Sequence, residues 1–469
     1  MKTVFFLAAA LSASALLAQE RPEALRIQPR TSSAVSARPA APPQEGTAPA
    51  DTLWTLSDCI AFAQRSNVGV RQKALRVEQS RTELSSARFS RLPDLNATIG
   101  ADASFGRTIS SENIYKDMNE TSASFGISAG MPLFQGMRIN RRIEGSKLDL
   151  AAAVQDLERA REDVAVNVMT LYLQVLFDKE LVGVAERQLE LSARQTERSR
   201  SLVARGKQPE SARYESEALE AADRLALTRA RNDLRLALLD LSQALDRESA
   251  AGFDIEAPTL DSLALASLHE LGTPDAVFDY AAEHRPHIRA EELRLAGSEN
   301  AVKIARSALY PSISLNGGYG TSIHSAENAG FWQQFRSKSR EYVGVSMNIP
   351  IFNRRATRND IAAARISVRN QQLTLTEARQ ALRKEIEQAW YNADAAYDQY
   401  RSAEAALASA RTAFASEERK AEAGRSTLFD FNDAKTRMEK AESELLQAKY
   451  EFLFRSKILD YYRGRPLEL

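Results

Sequence analysis

The side chains that could do chemistry are few in this sequence, and they are scattered. His284 and His287 lie three residues apart beside Pro286, a spacing that could bring two imidazoles to one metal ion. Neither a cysteine nor a third histidine lies close by, and zinc sites need three or four such ligands. No phosphate-binding loop, nucleophile elbow or zinc-binding motif occurs either. The sequence therefore predicts neither an enzyme nor a metal or cofactor site.

Charge and cysteine content exclude further classes. The chain has 62 basic and 62 acidic residues, so its formal net charge is zero. That balance argues against a surface that binds nucleic acid. Cys59 is the only cysteine, so no intrachain disulfide can form. Because Cys59 sits within an apolar helical pattern, it is predicted to be a small buried residue rather than a reactive thiol.

The first eighteen residues are typical of a secretory signal. Lys2 is followed by an apolar run to Leu17, and the chain turns polar after Ala18. We therefore predict a signal peptide over 1–18, because the run is short for a membrane anchor. The segment 19–52, rich in Pro, Ala, Ser and Arg, is predicted to be a disordered leader. No later segment has eighteen uninterrupted apolar residues, so the exported chain is either soluble or crosses a membrane as β-strands.

The elements that must position any functional residue are duplicated. A shift of 218 residues aligns Leu92-Pro93 with Tyr310-Pro311, and Gly206 with Gly424. The same shift aligns the strand end at 131–134 with that at 349–352. One constant offset over separated landmarks indicates two copies of a large unit. We predict a first repeat over 53–270 and a second over 271–469.

Each copy has the same predicted order of a helix, two strands, a very long helix and a returning helix. The first helices are predicted at 57–91 and 274–309, and the long ones at 138–205 and between about 353 and 423. The return helices are predicted to run to about 245 and 461. The strands are predicted at 94–107, 121–134, 312–325 and 340–352. Helices of nearly seventy residues do not fit a compact domain, so they predict a coiled-coil shaft.

The strand segments alternate between apolar and small polar residues, which gives each strand one apolar face. Their length and pattern are typical of outer-membrane strands, although a soluble hairpin with one buried face would look the same. Four strands are too few to close a barrel, so strands that span a membrane would have to be shared between several copies of the chain. The loops between the paired strands carry Ile114-Tyr115 and Phe331-Trp332, which are either interfacial aromatics or ordinary loop packing.

Taken together, these features resemble the TolC-like outer-membrane efflux protein family. The resemblance rests on the strand ends Pro132–Gly136 and Pro350–Arg354, the two glycine-centred hairpin turns and the duplication. It implies a mainly α fold with a membrane β-barrel, built from a duplicated helix–two strands–long helical hairpin unit. It further implies a trimer that shares a twelve-stranded barrel and a long periplasmic α-helical barrel.

The resemblance also implies a function. The chain would be the outer-membrane channel of a tripartite efflux or type I secretion system, passively conducting drugs, ions or proteins. Its partners would be two further copies of itself, a periplasmic adaptor, an inner-membrane transporter and outer-membrane lipid. The alternative is a soluble periplasmic coiled-coil scaffold or adaptor whose strand hairpins pack internally.

Two functional regions follow from the resemblance. The resemblance implies that the hairpin tips meet the adaptor, and that two aspartates following the second-hairpin glycine by six and nine residues ring the entrance. Asp430 and Asp433 stand at those spacings, whereas the first hairpin has Ala212 and Glu215 there. The simpler alternative is that both aspartates only stabilise the start of a helix. The tip residues are Val203, Arg205, Gly206, Lys207, Ala423, Gly424 and Arg425.

Overall fold

The structure of the chain is a computed structural model. It describes residues 53–109, 113–117, 119–247, 249–258, 272–325, 329–423 and 425–467. The predicted signal peptide over 1–18, the leader over 19–52 and the tip residue Gly424 lie outside the described residues.

Long helices dominate the described part of the chain. In the first copy they are α1 (Leu56–Ser66), α2 (Val68–Phe89), α3 (Arg138–Ala204) and α4 (Glu210–Ala244). In the second they are α5 (Pro274–His284), α6 (Pro286–Ser307), α8 (Ala356–Glu422) and α9 (Leu428–Tyr462), with the short α7 (Phe331–Ser337) between two strands. At 1.5 Å per residue, α3 and α8 are each roughly 100 Å long. Among the described helices, none is both long and apolar enough to cross a membrane.

The duplication extends to the ends of the helices. Adding 218 to both ends of α3 gives α8, and the same shift converts α4 into α9, α1 into α5 and α2 into α6. Backbone conformation repeats as well, because Met137 and Arg355 both have positive φ at the residue that precedes the long helix. The predicted duplicated unit is therefore confirmed.

The strands form one four-stranded antiparallel sheet in the order β1-β4-β5-β6. Its members are β1 (Asp94–Ser104), β4 (Glu120–Gln135), β5 (Ser312–His324) and β6 (Arg340–Asn348). A separate two-stranded ribbon joins β2 (Arg107–Ile109) to β3 (Tyr115–Asp117). The sheet therefore takes one strand pair from each copy, with β4 and β5 in contact at its centre.

The register confirms that one face of this sheet is apolar. Ile99 pairs with Phe125, and Ile127 pairs with Tyr319, so these side chains point to one side. The serines and glycines between them point to the other. Among the described residues, much of the apolar side is left uncovered, since Ile99 is 77% and Ile127 is 50% exposed.

Several strand ends differ from the prediction for a local physical reason. The first strand ends at Ser104 rather than 107, because the chain turns at Gly106, whose φ is +113°. The last strand ends at Asn348 rather than 352, because Pro350 has no N–H to donate to the ladder. The two central strands differ from the prediction by one residue at most, and the helix α7 between β5 and β6 was not predicted.

Each helix that precedes the strands is broken, whereas the sequence predicted one continuous helix in each copy. In the first copy Asn67 ends α1 and caps α2, its Oδ1 accepting from the N–H groups of Gly69 at 2.9 Å and Val70 at 3.3 Å. In the second copy Pro286 begins α6 after Arg285, since proline cannot continue the preceding helix. The first break faces the end of α4, where the Val68 N–H donates to Asp246 Oδ2 at 2.8 Å.

The largest core lies beside that break. Cys59 is fully buried in it, as predicted, together with Tyr172 and Leu241. The Tyr172 hydroxyl donates to the Glu256 carbonyl at 2.6 Å. Burial raises the pKa of the Cys59 thiol to about 12, so the group stays protonated and unreactive near neutral pH.

The junction between sheet and shaft yields a test of local strain. Gly136 has φ +59°, and an added Cβ would lie 2.5 Å from the Ser307 carbonyl oxygen. We expect Gly136→Ala to lower the thermal stability of the folded protein, because the left-handed backbone alone costs about 1–2 kcal/mol and the backbone contact adds to it. Its counterpart Arg354 is also left-handed, at φ +54°. The matched control, Arg354→Gly, should therefore be neutral or stabilising; equal losses in both variants would contradict this account.

Candidate functional site at the hairpin tips

The tip of the first hairpin is a tight turn that exposes two cations. The Gly206 N–H donates to the Val203 carbonyl at 2.9 Å, and the Lys207 N–H donates to the Leu202 carbonyl at 2.9 Å. Such a turn needs a left-handed residue, and Gly206 has φ +67°. Arg205 and Lys207 are exposed, whereas Val203 is half-buried. The turn therefore presents backbone and positive charge at the end of the shaft.

The second tip has the same geometry where it is described. The Arg425 N–H donates to the Lys420 carbonyl at 2.8 Å, which is the first-tip bond shifted by 218 residues. Ala423 and Arg425 are exposed. Glu417 closes the turn by accepting from Ser426 Oγ and from Lys420 Nζ, and these hydrogen bonds lower the pKa of its carboxyl group.

Asp430 and Asp433 lie in the first two turns of α9, as predicted. Thr427 caps this helix, since its Oγ1 accepts from the Asp430 N–H at 3.1 Å and donates to Asp430 Oδ2 at 2.6 Å. Asp433 pairs with Arg437 at 2.8 Å on the helix surface. Both carboxylates thus stabilise the helix start, and Asp430 is still exposed to solvent. Phe429, next to Asp430, is 78% exposed, and the sequence analysis did not single it out.

The first hairpin differs at the equivalent positions. Ala212 is buried, and Glu215 is exposed. Only the second hairpin therefore carries acids at both six and nine residues after its tip glycine.

A buried ion cluster lies next to Asp430 and Asp433 along α9. The Lys435 side chain is 1% exposed, and its Nζ lies 2.7 Å from Asp223 Oδ2 and 3.1 Å from Glu439 Oε1. Asp223 belongs to α4 of the first hairpin, so the cluster ties the two hairpins together. Burial raises the pKa of the Glu439 carboxyl group, against the opposing effect of Lys435.

Further polar contacts join the hairpins along the shaft. Glu442 of α9 lies 3.1 Å from Arg187 of α3 and 3.3 Å from Arg411 of α8. Glu180 of α3 accepts from the Tyr450 hydroxyl at 2.7 Å and lies 3.0 Å from Lys449 Nζ. The second hairpin is therefore fixed to the first at several levels above the acidic pair.

His284 and His287 do not converge on a metal site. The rings of His284 and Tyr280 stack with centroids 4.3 Å apart, and His287 Nδ1 lies 2.8 Å from Arg159 Nη1. Within the described ranges, no group of three or more His, Cys, Asp or Glu could hold a metal ion.

Comparison with known proteins points to one family. The model of the family described as "Outer membrane efflux protein" matches residues 60–247 and 277–460, once in each copy. The outer membrane efflux protein BepC of Brucella suis is 22% identical over 382 residues, covering 80% of each chain. The pyoverdine export outer membrane protein OpmQ of Pseudomonas putida is 27% identical over 406 residues, covering 83% of this chain and 81% of OpmQ.

Solved structures agree on the fold. A crystal structure of CusC superposes with a TM-score of 0.75 at 19% identity, covering 92% of this chain and 99% of that one. The outer membrane protein VceC of Vibrio cholerae superposes with a TM-score of 0.73 at 16% identity, covering 88% and 97%. The duplicated arrangement of helices and strands is thus shared with these proteins.

Proposed function

The chain belongs to the outer membrane efflux protein family, and we propose that three copies of it form one duct without catalytic chemistry of their own. Family membership gives the coarser role directly: an exit duct for efflux in the Gram-negative outer membrane that extends into the periplasm. That location excludes the alternative of a soluble periplasmic scaffold or adaptor. Members of the family work with an adaptor and an inner-membrane transporter, and in our proposal that transporter supplies the energy.

The observation that carries the shared duct is the open sheet. Among the described strands, β1 and β6 each have a neighbour on one side only. All neighbouring strands in the sheet are antiparallel, so β1 of one copy continues the alternation beside β6 of the next. Unpaired edges in a bilayer would cost several kcal/mol for each backbone group. Three copies would give twelve strands and close the barrel.

Exposed apolar side chains on the shaft support the same assembly. Leu75, Ile366 and Leu373 are 63%, 65% and 69% exposed, although they lie on helices whose other faces are packed. Neighbouring copies in a ring would cover them, which is how long amphipathic helices are stabilised.

The duct is tested by its behaviour on purification. We expect the protein to fractionate with the outer membrane, to need detergent, and to migrate in gels as a trimer that heating dissociates. Recovery as a soluble monomer would overturn the proposal.

The tips are proposed as the docking surface for the adaptor, through Val203, Arg205, Gly206 and Lys207 and their counterparts Ala423, Gly424 and Arg425. The exposed turn geometry and cations of the first tip support this assignment.

We expect Gly206→Val to weaken cross-linking between the first tip and the adaptor of the same organism, while the heat-sensitive trimer persists. The left-handed backbone at this position costs a β-branched residue about 1–2 kcal/mol or forces the turn to rearrange. The matched control is Gly183→Ala in the middle of α3, where an added Cβ meets only Arg187 Nη1 at 3.6 Å. Undiminished cross-linking of Gly206→Val would argue against docking at this tip.

Asp430 and Asp433 are proposed as the entrance gate. In a trimer they would supply six carboxylates around the periplasmic opening, which would attract cations and obstruct anions. The contacts of both residues at the start of α9 are compatible with this role, because they hold the carboxylates in place.

A further inference from the structure

The short helix α7 is fixed at the end of the sheet that lies farthest from the shaft. β4 begins and β5 ends there, while the other end of β4 leads into α3 and the other end of β5 follows α6. Gln334 of α7 is 3% exposed. The pairing of β5 with β6 stops before His324, and Gln334 hydrogen-bonds the free backbone groups of that residue. The His324 N–H donates to Gln334 Oε1 at 2.8 Å, and Gln334 Nε2 donates to the His324 carbonyl at 3.2 Å. The helix is thus anchored to the strand end.

The helix packs on the apolar face of the sheet. Thr321 Oγ1 donates to the Phe335 carbonyl at 2.9 Å, and the rings of Phe125 and Phe335 lie 6.1 Å apart. Phe125 shares its face with Ile99, its cross-strand partner. In the proposed duct this face meets lipid, so α7 lies on the membrane side of the barrel at its outer end.

The exposed surface of α7 combines aromatic rings with cations. Phe331 is 48% exposed and Trp332 is 71% exposed, and their rings meet edge to face at 5.2 Å. Arg336 follows one turn later and Arg340 begins β6; both are exposed. Glu341 is the first acid after them, and Glu120, the nearest acid on β4, is engaged by His324 at 2.7 Å. The segment from Phe331 to Arg340 therefore carries positive charge and no acid.

This pairing of features fits the boundary of the outer leaflet. Aromatic rings with one wet side favour the region between acyl chains and headgroups. Guanidinium groups bind phosphate oxygens in bidentate fashion. We infer that α7, with Arg336 and Arg340, binds the phosphate-bearing headgroups of outer-leaflet lipid, while Phe331 and Trp332 enter the acyl boundary. The inference rests on the proposed duct for its orientation in the membrane.

Lipid retention tests the charge part of the inference. Detergent-purified trimers would be incorporated into nanodiscs containing bisphosphorylated lipid A or its dephosphorylated form, and the lipid kept through re-extraction would be counted by mass spectrometry. One arginine near an anionic surface is worth about a fivefold change in affinity. We expect the wild type to prefer the phosphorylated lipid, and Arg336→Gln with Arg340→Gln to lose roughly twentyfold of that preference.

The control pair is Arg365→Gln with Arg369→Gln, two exposed arginines on α8. It should retain lipid as the wild type does. Equal retention of both lipids by the wild type, or an unchanged preference in the Arg336 and Arg340 variant, would overturn the inference. Each preparation is first checked for the heat-sensitive trimer, because loss of the trimer in the wild type would instead count against the proposed duct.

Fluorescence quenching tests the aromatic part. Brominated acyl chains should quench the tryptophan fluorescence of the wild type more strongly than that of Trp332→Phe, since Trp332 is the indole of α7 and is 71% exposed. Equal quenching of the two proteins would mean that this ring does not enter the acyl boundary, and would also overturn the inference.

Discussion

Replacing Lys435 with methionine is expected to destabilise the second hairpin by about 3–5 kcal/mol, because it leaves Asp223 and Glu439 facing each other without their cation. Lys435 is 1% exposed, and the side chains of its two partners are 12% and 14% exposed, so water cannot replace it readily. The effect would be measured as faster hydrogen exchange in the segment 432–442 and as a lower temperature of dissociation of the proposed trimer.

The pH dependence of this defect has a definite sign. Burial raises the pKa of Glu439, so its contribution to stability is fully present below the unfolded pKa and is lost as pH rises through the raised folded value. Removing Lys435 removes the positive charge that opposes the rise in the pKa of Glu439. The loss of stability caused by Lys435→Met should therefore be smaller near pH ~5 than near pH ~8.

Two variants control this experiment. Arg437→Met removes a cation from the same helix. Because the Arg437 side chain is 76% exposed and pairs with Asp433 on the surface, the loss of stability should stay below about 1 kcal/mol. Adding Asp223→Leu and Glu439→Leu to Lys435→Met should recover much of the stability, because an apolar cluster can replace a buried ion cluster. Equal losses for Lys435→Met and Arg437→Met would contradict the account.

Replacing both Asp430 and Asp433 with asparagine is expected to weaken the block of the channel by divalent cations. The substitution keeps the side-chain shape and the contact between Thr427 and residue 430, while removing six charges from the proposed trimeric entrance. Each carboxylate within about 4 Å of a cation contributes up to several kcal/mol in a partly desolvated site. We therefore expect the half-blocking concentration to rise at least about tenfold, corresponding to ~1.4 kcal/mol.

The first hairpin provides the comparison for that effect. Glu215→Gln removes an exposed carboxylate at the equivalent spacing, and a small change there would place the gate in the second hairpin alone. An unchanged half-blocking concentration in the Asp430 and Asp433 variant would reduce their role to stabilising the start of α9.

Local and repetitive features of the fold were predictable, and long-range contacts were not. The ends of α3 and α8 follow from the turn residues at 206 and 424 and from the constant offset. The break at Pro286 had a signal in the sequence, since proline cannot continue a helix. The break at Asn67 had only a cap residue, which is common within helices as well as at their ends.

The buried ion cluster and α7 show why the rest could not be predicted. Lys435 and Asp223 are 212 residues apart, and nothing in the pattern of either helix marks one as the partner of the other. The sequence pattern indicates only two loop aromatics at Phe331-Trp332, because the helix α7 depends on Gln334 reaching the backbone of His324. The strand ends were also set by local features that the alternation pattern does not show, namely the turn at Gly106 and the missing N–H of Pro350.

Single-channel recording under a KCl gradient tests the shared duct most directly. We predict that material from the trimer band gives discrete conductance steps with a reversal potential that favours potassium, and that the heated monomer gives none. Steps from the monomer, their absence from the trimer, or a reversal potential that favours chloride would contradict a trimeric duct with an acidic entrance.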